Sequence, residues 1–282
     1  MQSHSVIGGG GTKLHVRVWG AGKGPALLFI HGWSQSHLAW RRQYDSELAE
    51  QFRIVACDLR GHGMSDAPLE RNDYADGEKW ADDVAAIIAQ LELTRPVLIG
   101  WSYGGCVICD YLKRYGDSKI AGINFVSAAV ALGRNVPASL TGEAFGRFAR
   151  AASADDLPSN ISAMRGFLRA CYGAQVAAED FEIALASSMV VHPKIRGFLL
   201  RREENFESPL NAITVPVLVS HNRADPIVPR AMAEYLLHHC RTASASWYDG
   251  SSHAPFLEAP QRFNGELTSF TVASLAGTPR TV

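Results

Sequence analysis

The stretch PVLIGWSYGGCVI, Pro96 to Ile108, runs four apolar residues into Gly100, sets a serine between two aromatics, adds two glycines and resumes with helical character. An apolar run without alternation reads as a strand covered on both faces. A helix that opens this soon after a strand needs a turn that only small neighbours allow, and Gly100 and Gly104 stand two residues either side of Ser102. The turn therefore exposes the Ser102 hydroxyl at the end of a buried strand, with the positive end of the next helix dipole beneath it. Strand, sharp turn and helix in this order make Ser102 a candidate nucleophile.

Working outward, the same kind of run recurs: ALLFI (26–30), RIVAC (53–57), IAGINFV (120–126) and VPVLVSH (215–221). At the N-terminus TKLHVRVWG alternates, with Leu14, Val16 and Val18 on one face, and reads as a strand paired across the GGGG turn with the segment before it. No Lys-Ser or Lys-Thr follows those glycines, which removes the phosphate-loop reading. Between the runs lie helical stretches; in DGEKWADDVAAIIAQLEL, Trp80, Val84, Ile87, Ile88 and Leu91 recur at steps of three and four. GGCVICDYLKRYG and RAMAEYLLHHC read likewise. Alternating strands and helices predict an α/β fold, a doubly wound and mostly parallel sheet. The rhythm breaks between Gly133 and Leu210, which carries no strand signal. That predicts a single domain with its core in 1–132 and 211–282 and a helical lid in 133–210.

Composition narrows the function. The 282 residues are 47% hydrophobic and 20% charged with a net charge of -1, so no basic surface for nucleic acid is expected. No window reaches the length of a membrane span, and no leader pattern opens the chain, so a cytoplasmic protein without membrane partner is expected. The five cysteines are scattered through apolar runs and read as buried thiols. HHC (238–240) is the one dense group of ligand-type residues, and neighbours on a helix point apart, so no metal and no cofactor are expected.

A nucleophilic serine needs a base, an orienting acid and donors for the oxyanion. In SSHAPF, after the probable last strand ASASWY, His253 is the candidate base. In SHNRADPIVP, Asp225 follows the strand VPVLVSH and is the candidate acid; Asp249, four residues before His253, reads as a turn former. The order serine, acid, histidine, each at the carboxyl end of a strand, selects these three among many. The backbone amides of Trp33, in FIHGWSQS, and Tyr103 are the candidate oxyanion donors. Trp33 and Trp101 would wall the acyl pocket, joined by the lid residues Phe145, Phe148 and Phe167.

With HGW, DLRGHGMSD (58–66), GWSYGG, RADPIVP and SSHAPFLEAP assembled, the sequence resembles the α/β-hydrolase superfamily over nearly its whole length. Within it, HGW, GWSYGG and HAPF look like the esterases that cleave pimeloyl-carrier-protein methyl ester, and VACDLRGHGMSDAP looks like the cofactor-free haloperoxidases. The resemblance implies a serine hydrolase of carboxylic esters working through an acyl-enzyme. Peroxide in place of water would give perhydrolysis, and a ligand sensor on the same fold is a third class. Epoxide hydrolases and dehalogenases of this fold carry an aspartate where Ser102 stands. A related dioxygenase group looks to carry its acid after the sixth strand, where this chain has Ser127. The resemblance also makes Asp58, Arg60 and His62 braces for loops near the site.

A carrier protein is acidic and would favour a basic lid. Segment 133–210 holds nine Lys and Arg against nine Asp and Glu. A small-molecule ester is therefore the expected partner, with a carrier-linked one second.

Overall fold

The unbroken apolar runs become the inner strands because both their faces are covered. In the computed structural model, which describes residues 1–20, 24–134, 136–173, 176–250 and 252–277, every residue of β3 (Ala26–Ile30), β5 (Val97–Trp101), β6 (Gly122–Val126) and β9 (Val217–Asn222) is buried. Together with β1 (Gln2–Ile7), β2 (Lys13–Trp19), β4 (Arg53–Cys57) and β10 (Ala243–Tyr248) they form an eight-stranded sheet in the order β1-β2-β4-β3-β5-β6-β9-β10. β1 with β2 and β2 with β4 are antiparallel, the first pair folding across the glycine turn as its alternation predicts, and the other pairs are parallel. Position 251, the first residue of SSHAPF, lies outside the described residues.

The chain leaves β3 toward β4 on one side and returns to β5 on the other, so the loops after β3 and β5 diverge. Such a switch point opens a crevice at the carboxyl ends of the strands. FIHGWSQS follows β3 and Ser102 follows β5, so the topology alone sets the two candidate elements side by side.

Helices cover both faces. Gly77–Gln90 buries Trp80, Val84, Ile87 and Ile88, the predicted stripe, and packs against Tyr103–Tyr115. A long helix, Pro260–Leu275, lies on β6 and was not anticipated. Its signal was present: Phe263, Leu267, Phe270, Thr271 and Ser274 are its buried positions, at helical spacing, but two of them are polar and dilute the apolar pattern.

The described part of the interval 133–210 holds the α-helices Glu143–Phe148, Leu157–Tyr172, Ala178–Val190 and Pro193–Leu199, and Glu207–Asn211 begins at its end. It also contains a strand, against the expectation of none. β8 (Glu204–Asn205) pairs antiparallel with β7 (Ala131–Leu132), tying the two ends of the interval together. Two residues are too short to register as an apolar run. Among the described residues no helix is long and apolar enough to cross a membrane, and all five cysteines are buried thiols.

Candidate active site

Ser102 directly follows β5 and caps the helix Tyr103–Tyr115 with φ 53° and ψ -117°. A side chain tolerates that backbone only where its surroundings impose it, at a cost of about 1–3 kcal/mol. Here they do. The Ser102 N–H donates to the Val126 carbonyl at 3.0 Å, and its own carbonyl accepts from Gly105 at 2.9 Å and Ala129 at 3.0 Å. Any side chain on Gly104 would run into the Ile30 carbonyl, and one on Gly100 would lie 2.8 Å from the Gly104 carbonyl oxygen. The two glycines are thus required by close approach on both sides of the turn.

Asp225 lies in the loop after β9. Its Oδ1 accepts from the Ile227 and Val228 amides at 2.8 and 3.0 Å, which aims Oδ2 at His253 Nδ1, 2.7 Å away. A carboxylate only accepts, so Nδ1 carries the proton and Nε2 keeps its lone pair. Nε2 is buried and has no hydrogen-bond partner among the described residues, and the link from Ser102 Oγ to it is not closed. Such bonds commonly tighten only when substrate binds. The backbone of His253 is held at both ends: its N–H donates to the Cys171 carbonyl at 2.6 Å, and its carbonyl accepts from Trp101 Nε1 at 2.8 Å. Asp249 does not join this group; it is exposed and pairs with Arg223 at 3.2 Å.

Trp33 and Tyr103 both line a cavity of about 470 Å³ that also reaches Ser102. Among the described residues neither of their backbone amides donates to a protein acceptor. Phe145 lines the same cavity, together with Ile227, Val228 and Met232, which sequence reasoning missed although PIVP directly follows Asp225. The other three expected pocket residues do not line it. Trp101 is turned inward, edge-on to Trp40 and Phe256, with its indole N–H spent on His253. Phe167 stands behind the wall, edge-on to Trp33 at 5.2 Å and to Phe145 at 6.2 Å. Phe148 packs on Gly166 of the helix Leu157–Tyr172.

The loop after β3 is stapled from below by two histidines. His31 Nδ1 donates to the Gly32 carbonyl at 2.8 Å while Nε2 accepts from Leu59 N–H at 3.0 Å. His62 Nδ1 donates to the Arg60 carbonyl at 2.9 Å while Nε2 accepts from Ser34 N–H at 3.2 Å. Burial pushes His31 down to about 4 and His62 down to about 3, so both are neutral rings near pH 7. The rest of DLRGHG braces too. Arg60 grips Asp83 with Nε at 2.7 Å and reaches the Gly9 carbonyl at 2.9 Å. Burial alone would raise the Asp58 carboxyl, but hydrogen bonds from His15 and His37 hold it well below the ordinary carboxylate range. His15, His37 and Asp58 are also the one group among the described residues with ligand-type atoms close enough to share a metal ion. Both Asp58 oxygens already accept from these rings and from the His37 and Met64 amides.

From above, the helix Ala178–Val190 meets the same loop: Gln35 Nε2 donates to Ser188 Oγ at 2.8 Å and Ser36 Oγ to Ser187 Oγ at 3.2 Å. Arg196, fully buried, donates to Ala152 O, Asn160 Oδ1 and Ser188 O at 2.6–2.7 Å. Burial lowers its guanidinium to about 10. Nothing in the sequence marks it apart from the other arginines.

Residues 25–260 match the family described as alpha/beta hydrolase fold. The chain belongs to the α/β-hydrolase family. A non-heme chloroperoxidase of Streptomyces lividans is 31% identical to this hydrolase over 276 residues, covering 92% of this chain and 96% of the relative. A pimeloyl-[acyl-carrier protein] methyl ester esterase of Vibrio cholerae is 24% identical, covering 89% and 95%. Among solved structures, an esterase from a Rhodococcus species superimposes with a TM-score of 0.92 at 34% identity, over 97% of this chain and 99% of that one. Both narrower likenesses seen in the motifs therefore recur among the relatives.

Proposed function

We propose that this α/β-hydrolase is a serine esterase that cleaves small carboxylic esters through an acyl-enzyme. The observation that carries the reading is the pairing of His253 Nδ1 with Asp225 Oδ2 at 2.7 Å, which leaves Nε2 as a buried base, unpartnered among the described residues, on a ring 5.6 Å from that of Trp101, the residue before Ser102. In the reaction Nε2 takes the Ser102 hydroxyl proton as Oγ bonds to the ester carbon. The carbonyl oxygen becomes an oxyanion and accepts from the amides of Trp33 and Tyr103, the second at a helix N-terminus. Collapse expels the alcohol, which takes the proton back from His253. Water, deprotonated by the same nitrogen, then adds to the acyl carbon; collapse frees the acid and restores Ser102. Asp225 stays ionised throughout and fixes which nitrogen can act. These steps run on the chain's own side chains, with a free small-molecule ester as partner.

The likeness to a chloroperoxidase supports a second outcome at the same intermediate. Hydrogen peroxide adding to the acyl carbon in place of water gives a peracid and frees the serine.

The test is hydrolysis of p-nitrophenyl esters of graded chain length, with and without peroxide and halide. An organophosphate adduct should map to the peptide containing Ser102. Ser102→Ala should lose hydrolysis by several orders of magnitude with its circular dichroism unchanged. An active alanine variant, or an adduct elsewhere, defeats the mechanism. A peracid product faster than the acid would place peroxide ahead of water.

A further inference from the structure

The cavity over Ser102 has an apolar floor and a basic rim. Trp33, Ile227, Val228 and Met232 line it with no more than 5% of their surfaces exposed. Its charged lining residues are Arg71, Arg134, Arg201, Arg202 and Glu203. Arg202 is buried and bound by both oxygens of Asp110 at 2.8 and 2.9 Å, so its charge is matched. Glu203 lies 3.9 Å from Arg134 and matches that one. Arg71 and Arg201 are exposed, which puts them at the mouth, and among the described residues neither forms an ion pair.

Both cations line this one cavity, and packing joins the elements that carry them. Phe198 stacks on Tyr74 with ring centres 5.9 Å apart; Arg201 lies over the Phe198 ring at 5.7 Å; Arg71 caps the short helix Asn72–Ala75 that carries Tyr74. Arg71 comes from the core and Arg201 from the root of the 133–210 interval, so the pair exists only when the two meet. An apolar cavity by itself disfavours a charged ligand, because the charge loses water and gains no partner. Two unmatched guanidiniums at the mouth reverse that preference for one class of molecule, and guanidinium is suited to grip a carboxylate.

We infer that the preferred substrates are esters whose acyl chain ends in a carboxylate, the half-esters of dicarboxylic acids, with the ester carbonyl at Ser102 and the free carboxylate at Arg71 and Arg201. The inference rests on the esterase reading of the site.

The experiment measures kcat/KM for methyl half-esters of straight diacids of increasing length, each beside the neutral methyl ester of the matching monoacid. At one chain length the half-ester should be preferred by roughly tenfold, and raising the salt should shrink the preference by a few-fold, since partly exposed charges are screened. Arg71→Gln with Arg201→Gln should bring the ratio to one or below. Arg71→Lys with Arg201→Lys should keep most of it. Neutral esters that match or beat half-esters at every length overturn the proposal and leave the esterase intact. A preference confined to half-esters carried on an acidic protein, absent for the free ones, overturns it in favour of a protein partner. If no ester is cleaved and Ser102 takes no organophosphate, the esterase reading fails, and the proposal with it.

Discussion

Acid should unfold this hydrolase from the loop after β3, and earlier than its carboxylates would require. His31 and His62 each accept a backbone N–H at Nε2 and donate from Nδ1, so adding a proton removes the acceptor and turns it toward another donor. Burial lowers His31 to about 4 and His62 to about 3 from the ordinary 6.5. The unfolded chain therefore binds more protons than the native one across this window, so stability falls as pH falls below about 6.5 and the loss levels off only near pH 3–4. Each ring can withdraw about 1.4 kcal/mol per pH unit, so by pH 5 the two together remove about 4 kcal/mol. That is a large share of the roughly 5–15 kcal/mol that holds a typical domain together. His221, also lowered chiefly by burial, adds in the same direction. Asp58 does not contribute here, because a carboxyl held below its ordinary value withdraws stability only once the pH drops under that value. The measurement is urea unfolding at pH 7.5, 6.5, 5.5 and about 4.5, on the wild type and on His62→Gln, whose amide oxygen can accept a proton donor but does not titrate. The variant should give a slope shallower by about one proton, whatever its absolute stability. Asp110 and Asp83, raised by burial, act in the opposite direction over the same window, so the variant's slope and not the wild type's decides: an unchanged slope in His62→Gln refutes the neutral-staple reading.

The acid and the indole give two further outcomes. Asp225→Asn should lower turnover by roughly 10³ to 10⁴ by releasing the His253 tautomer, whereas Asp249→Asn, exposed and paired only at the surface, should stay within about threefold; reversed results would move the acid to Asp249. Trp101→Phe removes the indole N–H from the buried His253 carbonyl, an unsatisfied group worth about 1–3 kcal/mol, and should lower kcat by about tenfold or more with KM little changed. A raised KM with kcat intact would make Trp101 a pocket wall after all.

Which parts of this molecule can be read from one sequence follows from what a pattern encodes. An apolar run fixes that both faces of a strand are buried, whatever covers them, so the inner strands and their ends were legible, and with them the places where Ser102 and Asp225 sit; His253 instead follows β10, a half-buried edge strand. The elbow was legible for a similar reason: its glycines answer to backbone a few residues away or on the adjacent strand. A helical stripe says that one face is buried and is silent on the partner. Phe145, Phe148 and Phe167 all belong to such stripes, and only Phe145 meets the cavity. Trp101 illustrates the same limit at one residue: it follows a glycine beside the nucleophile, yet the strand's alternation turns it under the sheet's end, where its indole supports His253 from behind.

Charge is the hardest to read, because attraction depends on convergence and a sum along the chain does not record it. The 133–210 interval sums to zero, and Arg165 and Arg169, spaced to share a helix face, do share one, the outer one exposed to solvent. Among the described residues, the other exposed, unpaired arginine lining the same cavity as Arg201 is Arg71, more than a hundred residues earlier and outside the interval altogether. What joins them is an aromatic stack between Tyr74 and Phe198, two residues whose apolar character says only that they are covered. A neutral sum is thus compatible with a basic mouth, since compensating acids are paired with other bases: Asp180 with Arg42 and Glu204 with Lys113 away from it, and Glu203 with Arg134 at the cavity itself. Specificity in this hydrolase is accordingly a property of the contact between the core and the inserted helices, and substitutions at Tyr74 or Phe198, far from the serine in sequence, bear on which esters reach it.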